Sequence, residues 1–198
     1  MKKIKDIIMK KTILIATLFF SALTTIQAQS VKLGIKAGLN YANQTGTAIT
    51  VNSKNYQTEA ISSYHAGLVA EINLFEGLAL QPELLYSTQG ATYKGISGTI
   101  GDITNKVGYL AIPVMIKIGL SKSISLELGP QASFLLSGKD QFVVKDPSTF
   151  DFAVAGGLGL KVTKSIFLQA RYGLGLTEIS KEAQTKNSVV QVSAGILF

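Results

Sequence analysis

The sequence predicts an all-β fold, an eight-stranded antiparallel up-and-down transmembrane β-barrel, and two observations carry that prediction. Eight segments alternate apolar and polar residues with the period of two that a pleated strand imposes, and every charge inside them lies on the face opposite the apolar row. The connections between the segments alternate short and long, as in bacterial barrels that pair tight periplasmic turns with longer outer loops.

The N-terminus reads as an export signal. Residues 1–11 form a basic stretch, MKKIKDIIMKK, and Thr12 to Thr24 form an apolar run too short to span a bilayer as a stable helix. Cleavage after Ala28 satisfies the small-residue requirement, although Ile26 two residues earlier is a looser match. The expected organisation is therefore a signal peptide over 1–28 and one barrel domain over 29–198. The signal holds Lys2, Lys3, Lys5, Lys10 and Lys11 together with Asp6, so the mature chain carries 14 basic and 11 acidic residues, a net +3. No dense basic patch remains, which excludes nucleic acid as an expected partner. With no cysteine and a single histidine, His65, disulfides and the usual zinc and iron–sulfur ligand sets are also excluded.

The first strand sets Val31, Leu33, Ile35, Ala37, Leu39 and Tyr41 against Lys32, Gly34, Lys36, Gly38 and Asn40. The second sets Tyr64, Ala66, Leu68, Ala70, Ile72 and Leu74 against Ser63, His65, Gly67, Val69, Glu71 and Asn73. In the third, Leu78, Leu80, Leu84 and Tyr86 oppose Gln81, Glu83, Ser87 and Gln89, with Leu85 interrupting the polar row. The fourth opposes Leu110, Ile112, Val114, Ile116 and Ile118 to Tyr109, Ala111, Met115 and Lys117. The fifth opposes Ile124, Leu126, Leu128, Ala132, Phe134 and Leu136 to Ser125, Glu127, Gln131 and Ser133. The polar faces of the last three carry Asp151 and Lys161, then Gln169 and Arg171, then Gln191 and Ser193. The final apolar row, Val190, Val192, Ala194 and Ile196, ends at Phe198, an expected signal for the barrel-assembly machinery.

Nine strand charges, Lys32, Lys36, Glu71, Glu83, Lys117, Glu127, Asp151, Lys161 and Arg171, all share the polar parity. Chance alone would place them so about 1 time in 500. A Lys or Arg on the lipid face costs roughly 2–4 kcal/mol near the midplane, which explains their exclusion from it. Five positive charges nearly balance four negative ones, as a closed lumen of ion pairs requires. An eight-stranded interior is just wide enough to be filled by side chains, so Glu83, Arg171 and Lys36 are expected to pair into a polar plug in preference to a gated conduit.

Residues 75–77, 119–123 and 163–165 read as tight turns, and 42–62, 90–107, 138–149 and 178–187 as longer polar loops. This arrangement puts both mature termini in the periplasm. It also puts Phe75, Phe167 and Phe198 at the inner interface and Tyr41, Tyr64, Tyr86 and Phe134 at the outer one. Pro82, Pro113 and Pro130 fall inside strands, where each removes a ladder donor, and bulges or local bends are expected there.

No motif points to catalysis, a cofactor or a metal. Gly157 and Gly159 begin a dinucleotide-like glycine pattern, but Val162 stands at its third position and no helix follows, so they read as small lumen residues. Gly90 to Gly95 has phosphate-loop spacing with Ile96 in place of the lysine. Asp140, Asp146 and Asp151 lack EF-hand spacing, and Asn43-Gln44-Thr45 is a glycosylation sequon by pattern only. His65 beside a serine and a glutamate is the simplest lipid-hydrolysing arrangement available, but a lumen histidine is the expected reading.

Five segments, LGIKAGLNYAN (33–43), LQPELLYSTQGA (80–91), YLAIPVMIK (109–117), LELGPQASFLLSG (126–138) and RYGLGLTEIS (171–180), resemble the PorT-like outer-membrane β-barrel family of Gram-negative bacteria. The resemblance implies an eight-stranded barrel in the outer membrane, includes the three prolines among its recurring segments and supplies no catalytic motif. The family takes its name from a member needed for protein secretion to the cell surface. The expected role is thus a structural or interaction protein, a monomer in outer-membrane lipid whose loops are the contact sites. A secretion accessory is the alternative, ahead of a lipid-modifying enzyme or a soluble lipocalin-like carrier, which would turn the apolar rows inward.

Overall fold

A computed structural model describes residues 31–46, 49–51, 54–95, 103–137, 148–178 and 185–198. The expected signal, 1–28, and Asp140 and Asp146 lie outside the described residues. The strands are β1 (Val31–Gly46), β2 (Ile49–Val51), β3 (Lys54–Phe75), β4 (Leu78–Gly95), β5 (Ile103–Gly119), β6 (Ile124–Ser137), β7 (Phe150–Lys161), β8 (Ile166–Gly175) and β9 (Thr185–Leu197). Each long strand pairs antiparallel with its chain neighbour, and β1 pairs with both β9 and β3, which closes eight long strands into a barrel. The three-residue β2 is an appendage on the start of β3.

The two faces are sorted as the parity predicts. Leu39, Leu68, Ile116, Leu128, Leu158 and Val192 are exposed on the outer wall, while Lys36, Glu71, Glu83, Lys117, Glu127, Asp151 and Arg171 are buried inside. An apolar exterior around a charged interior is the inverse of a soluble protein. It contradicts the lipocalin-like alternative, whose apolar rows would have to face the lumen.

Two rings of aromatics bracket the apolar wall. At one end, Tyr64 and Tyr86 lie 6.3 Å apart between ring centroids and Phe134 and Phe150 lie 5.4 Å apart. At the other, Phe75 and Phe198 are exposed, but Phe167 is not: it is 3% exposed and faces the lumen, packed with Val69 and Leu197. Its placement in the girdle is therefore corrected. Phe167 shares parity with Gln169 and Arg171 and pairs across to Gly195, where a Cβ would overlap its ring. The glycine leaves the space that the aromatic fills.

The short connections are built locally. Only Glu76 and Gly77 join β3 to β4, and Gly77 adopts φ +80°, a conformation that glycine reaches without steric cost. The other two share one design. In 120–123 the amides of Leu120 and Ser121 both donate to Ile124 O, and Ser121 Oγ accepts from the amide of Ile124. In 162–165 the amides of Val162 and Thr163 donate to Ile166 O, and Thr163 Oγ1 accepts from the amide of Ile166. A hydroxyl residue followed by Lys-Ser-Ile thus makes the same turn twice, with Lys122 and Lys164 at the tips.

The long connections are shorter than the sequence suggests. β1 and β3 take up most of 42–62, β4 and β5 run into 90–107, and β9 starts within 178–187, whereas 138–149 fits the gap between β6 and β7. A membrane-crossing strand needs about 9–11 residues, and β3 has 22. Beyond the apolar belt, exposed polar residues such as Glu59, Lys94, Thr104 and Lys106 take the place of the apolar row, so alternation fades from the sequence while the ladder continues through pairs such as Glu59↔Thr92 and Thr92↔Thr104.

The prolines do not shift the register. β4 and β5 keep one register through Pro82↔Val114 to Leu85↔Ala111, as do β5 and β6 through Pro113↔Gln131 to Ile116↔Leu128 and β6 and β7 through Pro130↔Val154. Shifts occur instead between Ala60 and His65, between Asn73 and Phe75, and between Gly108 and Tyr109. Each proline deletes a donor without displacing its strand, which overturns the expected bulges at these positions.

Candidate functional site

The lumen is where the sequence concentrates its polar chemistry, and it is filled in layers. Nearest the short-turn end, β1, β3, β4, β5, β6, β7 and β8 each contribute one charge to a continuous chain. Lys36 Nζ lies 2.9 Å from Glu83 Oε2, and Glu83 Oε1 lies 2.7 Å from Arg171 Nη2. Arg171 Nε donates to Glu127 Oε2 at 2.7 Å, and Glu127 Oε1 is 3.7 Å from Lys117. Lys117 reaches Glu71 Oε2 at 2.7 Å, and Lys161 stands 3.4 Å from Glu71 Oε1. Arg171 bridges two carboxylates through separate nitrogens, a geometry that its planar fork favours over a lysine.

Glutamines complete the layer. Gln169 accepts from Lys36 Nζ at 3.0 Å and donates to Glu127 Oε1 at 2.9 Å, and Gln81 donates to Glu83 Oε1 at 2.6 Å. The fit depends on small neighbours: a Cβ on Gly159 would stand 2.5 Å from Glu127 Oε1. Gly157 and Gly159 therefore serve packing, as their absence from a nucleotide fingerprint implies.

His65 lies in the next layer. Asn40 Nδ2 donates to Ser87 Oγ at 3.0 Å and Thr88 O at 2.8 Å, while Asn40 Oδ1 accepts from Gln191 Nε2 at 3.1 Å. That fixes the amide orientation, so His65 Nδ1 donates to Asn40 Oδ1 at 2.7 Å and His65 Nε2 accepts from Ser193 Oγ at 2.8 Å. The order serine–histidine–asparagine matches nucleophile, base and orienting group. However, all three side chains are buried, and no described cavity reaches Ser193 Oγ. The histidine ties β1, β3 and β9 together. Sequence reading anticipated a lumen histidine but not its partners, which come from strands distant in the chain.

Toward the long-loop end, Asp151 accepts from Thr177 Oγ1 at 2.6 Å and Asn187 Nδ2 at 3.0 Å. It is thus a buried lumen residue. Asn43 sits within β1, paired with Ser188, and Gly90 lies within β4, so neither the sequon nor the phosphate-loop spacing falls on an open loop at these residues. Beside Asp151 is a void of about 10 Å³, the size of one water position. Val107, Tyr109 and Leu135, and separately Ala42, Ile61 and Val189, form apolar clusters near this end. At the opposite end the lumen opens into a vestibule of about 310 Å³ whose lining includes Glu71, Lys117, Lys122 and Lys161.

A family model described as outer membrane protein beta-barrel domain matches residues 27–181. No curated protein sequence matches the chain. Among solved structures, Ail, the attachment invasion locus protein of Yersinia pestis, is 12% identical with a TM-score of 0.50 over 84% of this chain and 98% of its own. OprG from Pseudomonas aeruginosa gives 13%, 0.49, 86% and 97% for the same measures. Neisserial surface protein A gives 15%, 0.48, 85% and 97%. At that identity the likeness to Ail is one of fold.

The buried chain yields a contrast in stability. Removing one partner of a buried pair costs about 3–5 kcal/mol, whereas the Lys94–Glu59 pair, with side chains 51% and 57% exposed, is of a class worth about 0–1 kcal/mol. Glu127→Gln should therefore lower the unfolding free energy in detergent micelles by several times more than Glu59→Gln. Equal effects in denaturant titrations would contradict the ion chain.

Proposed function

The chain belongs to the outer membrane protein beta-barrel domain family, and on that premise we propose that it is a structural or interaction protein whose long-loop end is its contact surface. The observation that carries this reading is the occupied lumen. Ion pairs and hydrogen bonds fill it from Lys161 to Asp151, leaving no described passage for a solute and no described space for a substrate at Ser193. The surface proposed for recognition of a partner is the rim at the long-loop end, where β3, β4 and β5 carry the ladder past the apolar belt as far as Tyr56↔Gly95 and Tyr93↔Ile103. The contact residues are proposed to lie where the long strands of this end are joined, within 42–62, 90–107, 138–149 and 178–187.

The orientation that accompanies this reading puts the three short turns and both mature termini in the periplasm. Phe198 is 76% exposed at the short-turn end, and its amide donates to Leu33 O on β1. We propose that it is read by the barrel-assembly machinery as the terminal aromatic of the strand that meets β1. The barrel is proposed to act as a monomer.

Accessory function in protein secretion to the cell surface is the alternative, favoured by the PorT-like segments. In that case loss of the gene would reduce surface delivery of client proteins while leaving other outer-membrane barrels in place.

Photo-crosslinking in cells separates a contact role from an inert one. A crosslinker placed in turn in each of the four loops should trap protein adducts that a crosslinker at Leu128 on the outer wall does not. Absence of adducts from every loop position would refute the contact surface. For the assembly role, a chain lacking Phe198 should accumulate in the periplasm or be degraded, as judged by fractionation; normal surface assembly would remove Phe198 from that role.

A further inference from the structure

We propose that the vestibule at the short-turn end is a binding site for an oxyanion group, a carboxylate or a phosphate, held by Lys161 and Lys122. Three cavities among the described residues differ in kind. The one beside Asp151 holds about 10 Å³ and admits no ligand. The one on the outer wall, about 260 Å³, is lined mainly by Leu33, Leu68, Ala70, Pro82 and Leu84 and faces the lipid. Only the vestibule, at about 310 Å³, combines room for a small ligand with charged walls.

Its charge is set by the end of the ion chain. Within the lumen, Lys36 and Arg171 are matched by Glu83 and Glu127. Glu71 serves two ammonium groups, Lys117 at 2.7 Å and Lys161 at 3.4 Å, and Lys117 also lies 3.7 Å from Glu127. Lys117 is 5% exposed in its side chain and takes the shorter contact, whereas Lys161 is 45% exposed and stands at the mouth. Lys122, at the tip of the β5–β6 turn, adds a third cation to the lining against one further carboxylate, Glu76. The walls thus carry three cations and two carboxylates, a surplus of one positive charge, and Lys122 and Lys161 are the exposed lysines among them.

The turn adds neutral donors. Ser121 Oγ already accepts from the amides of Ser123 and Ile124, so its hydroxyl proton is directed elsewhere, and both Ser121 and Ser123 line the cavity. A cleft with low-dielectric walls and one sign of excess charge concentrates the opposite ion. An oxyanion bridging Lys161 and Lys122 completes the alternation of charge that runs up from Lys36. The source of that group rests on the orientation proposed above: from the periplasm it comes either as a free small anion or as the terminal carboxylate of a peptide.

The test uses isotope-labelled protein purified from outer membranes into micelles and followed by NMR. Inorganic phosphate should produce saturable shifts at the amides of 121–124 and 161, and Lys161→Gln or Lys122→Gln should each weaken binding about tenfold. Lys94→Gln at the far end should leave it unchanged. An acetylated dialanine acid that saturates the same amides, where its amide form does not, assigns a peptide carboxylate as the source; saturation by phosphate alone assigns a free anion. Shifts that stay linear to about 50 mM, or that persist equally in both lysine variants, overturn the site. Labelling of a Ser123→Cys variant by an impermeant maleimide in intact cells reports orientation separately, because surface labelling there would refute the periplasmic reading without touching the binding result.

Discussion

Charge cannot face lipid, and in a closed eight-stranded barrel the only other direction is a lumen without room for bulk water. The rest of the structure follows from that constraint. Once Lys36, Glu83, Arg171, Glu127, Lys117 and Glu71 are forced inward, they must pair with one another, and the pairing dictates which strands stand at which height. A strand displaced by one residue would turn its charge outward, so the ion chain and the register enforce each other. Buried pairs are poor sources of net stability but strong penalties when broken, and their contribution here is to the uniqueness of the barrel.

Much of this was legible in the sequence because parity is a binary signal. Each of the nine strand charges could be assigned a face from its number alone, and the structure buries seven of them, with Lys32 half-buried and Lys161 half-exposed at the open end. Pairings were less legible, since alternation says which face a residue takes but not its height on the barrel. His65 shows the limit: its serine and asparagine lie 128 and 25 residues away in sequence and meet it only through the register. Phe167 shows a different one. Its aromatic character argued for the girdle and its parity for the lumen, and the glycine opposite, Gly195, was the signal that decides between them. The strand extensions above the belt left no alternation to read at all.

The segments that carry the family resemblance supply much of the interior. Residues 33–43 supply Lys36 and Asn40, 80–91 supply Gln81 and Glu83, 109–117 supply Lys117, 126–138 supply Glu127, and 171–180 supply Arg171. These segments thus carry plug and wall together, which explains how the fold could be read so fully while the role could not. The proposed contact role falls to the loops, where the constraint of two opposed solvents is lifted and no alternation is imposed. The vestibule is an intermediate case, built from the end of the ion chain but open to one compartment.

Electrical conductance across a planar bilayer tests the central claim most directly. Protein purified from outer membranes and inserted in molar potassium chloride should give no discrete current steps, because buried side chains occupy the layers from Glu71 to Asp151. Reproducible unitary steps from the native chain would show that the lumen opens, and that the buried charges line a conduit in place of a plug.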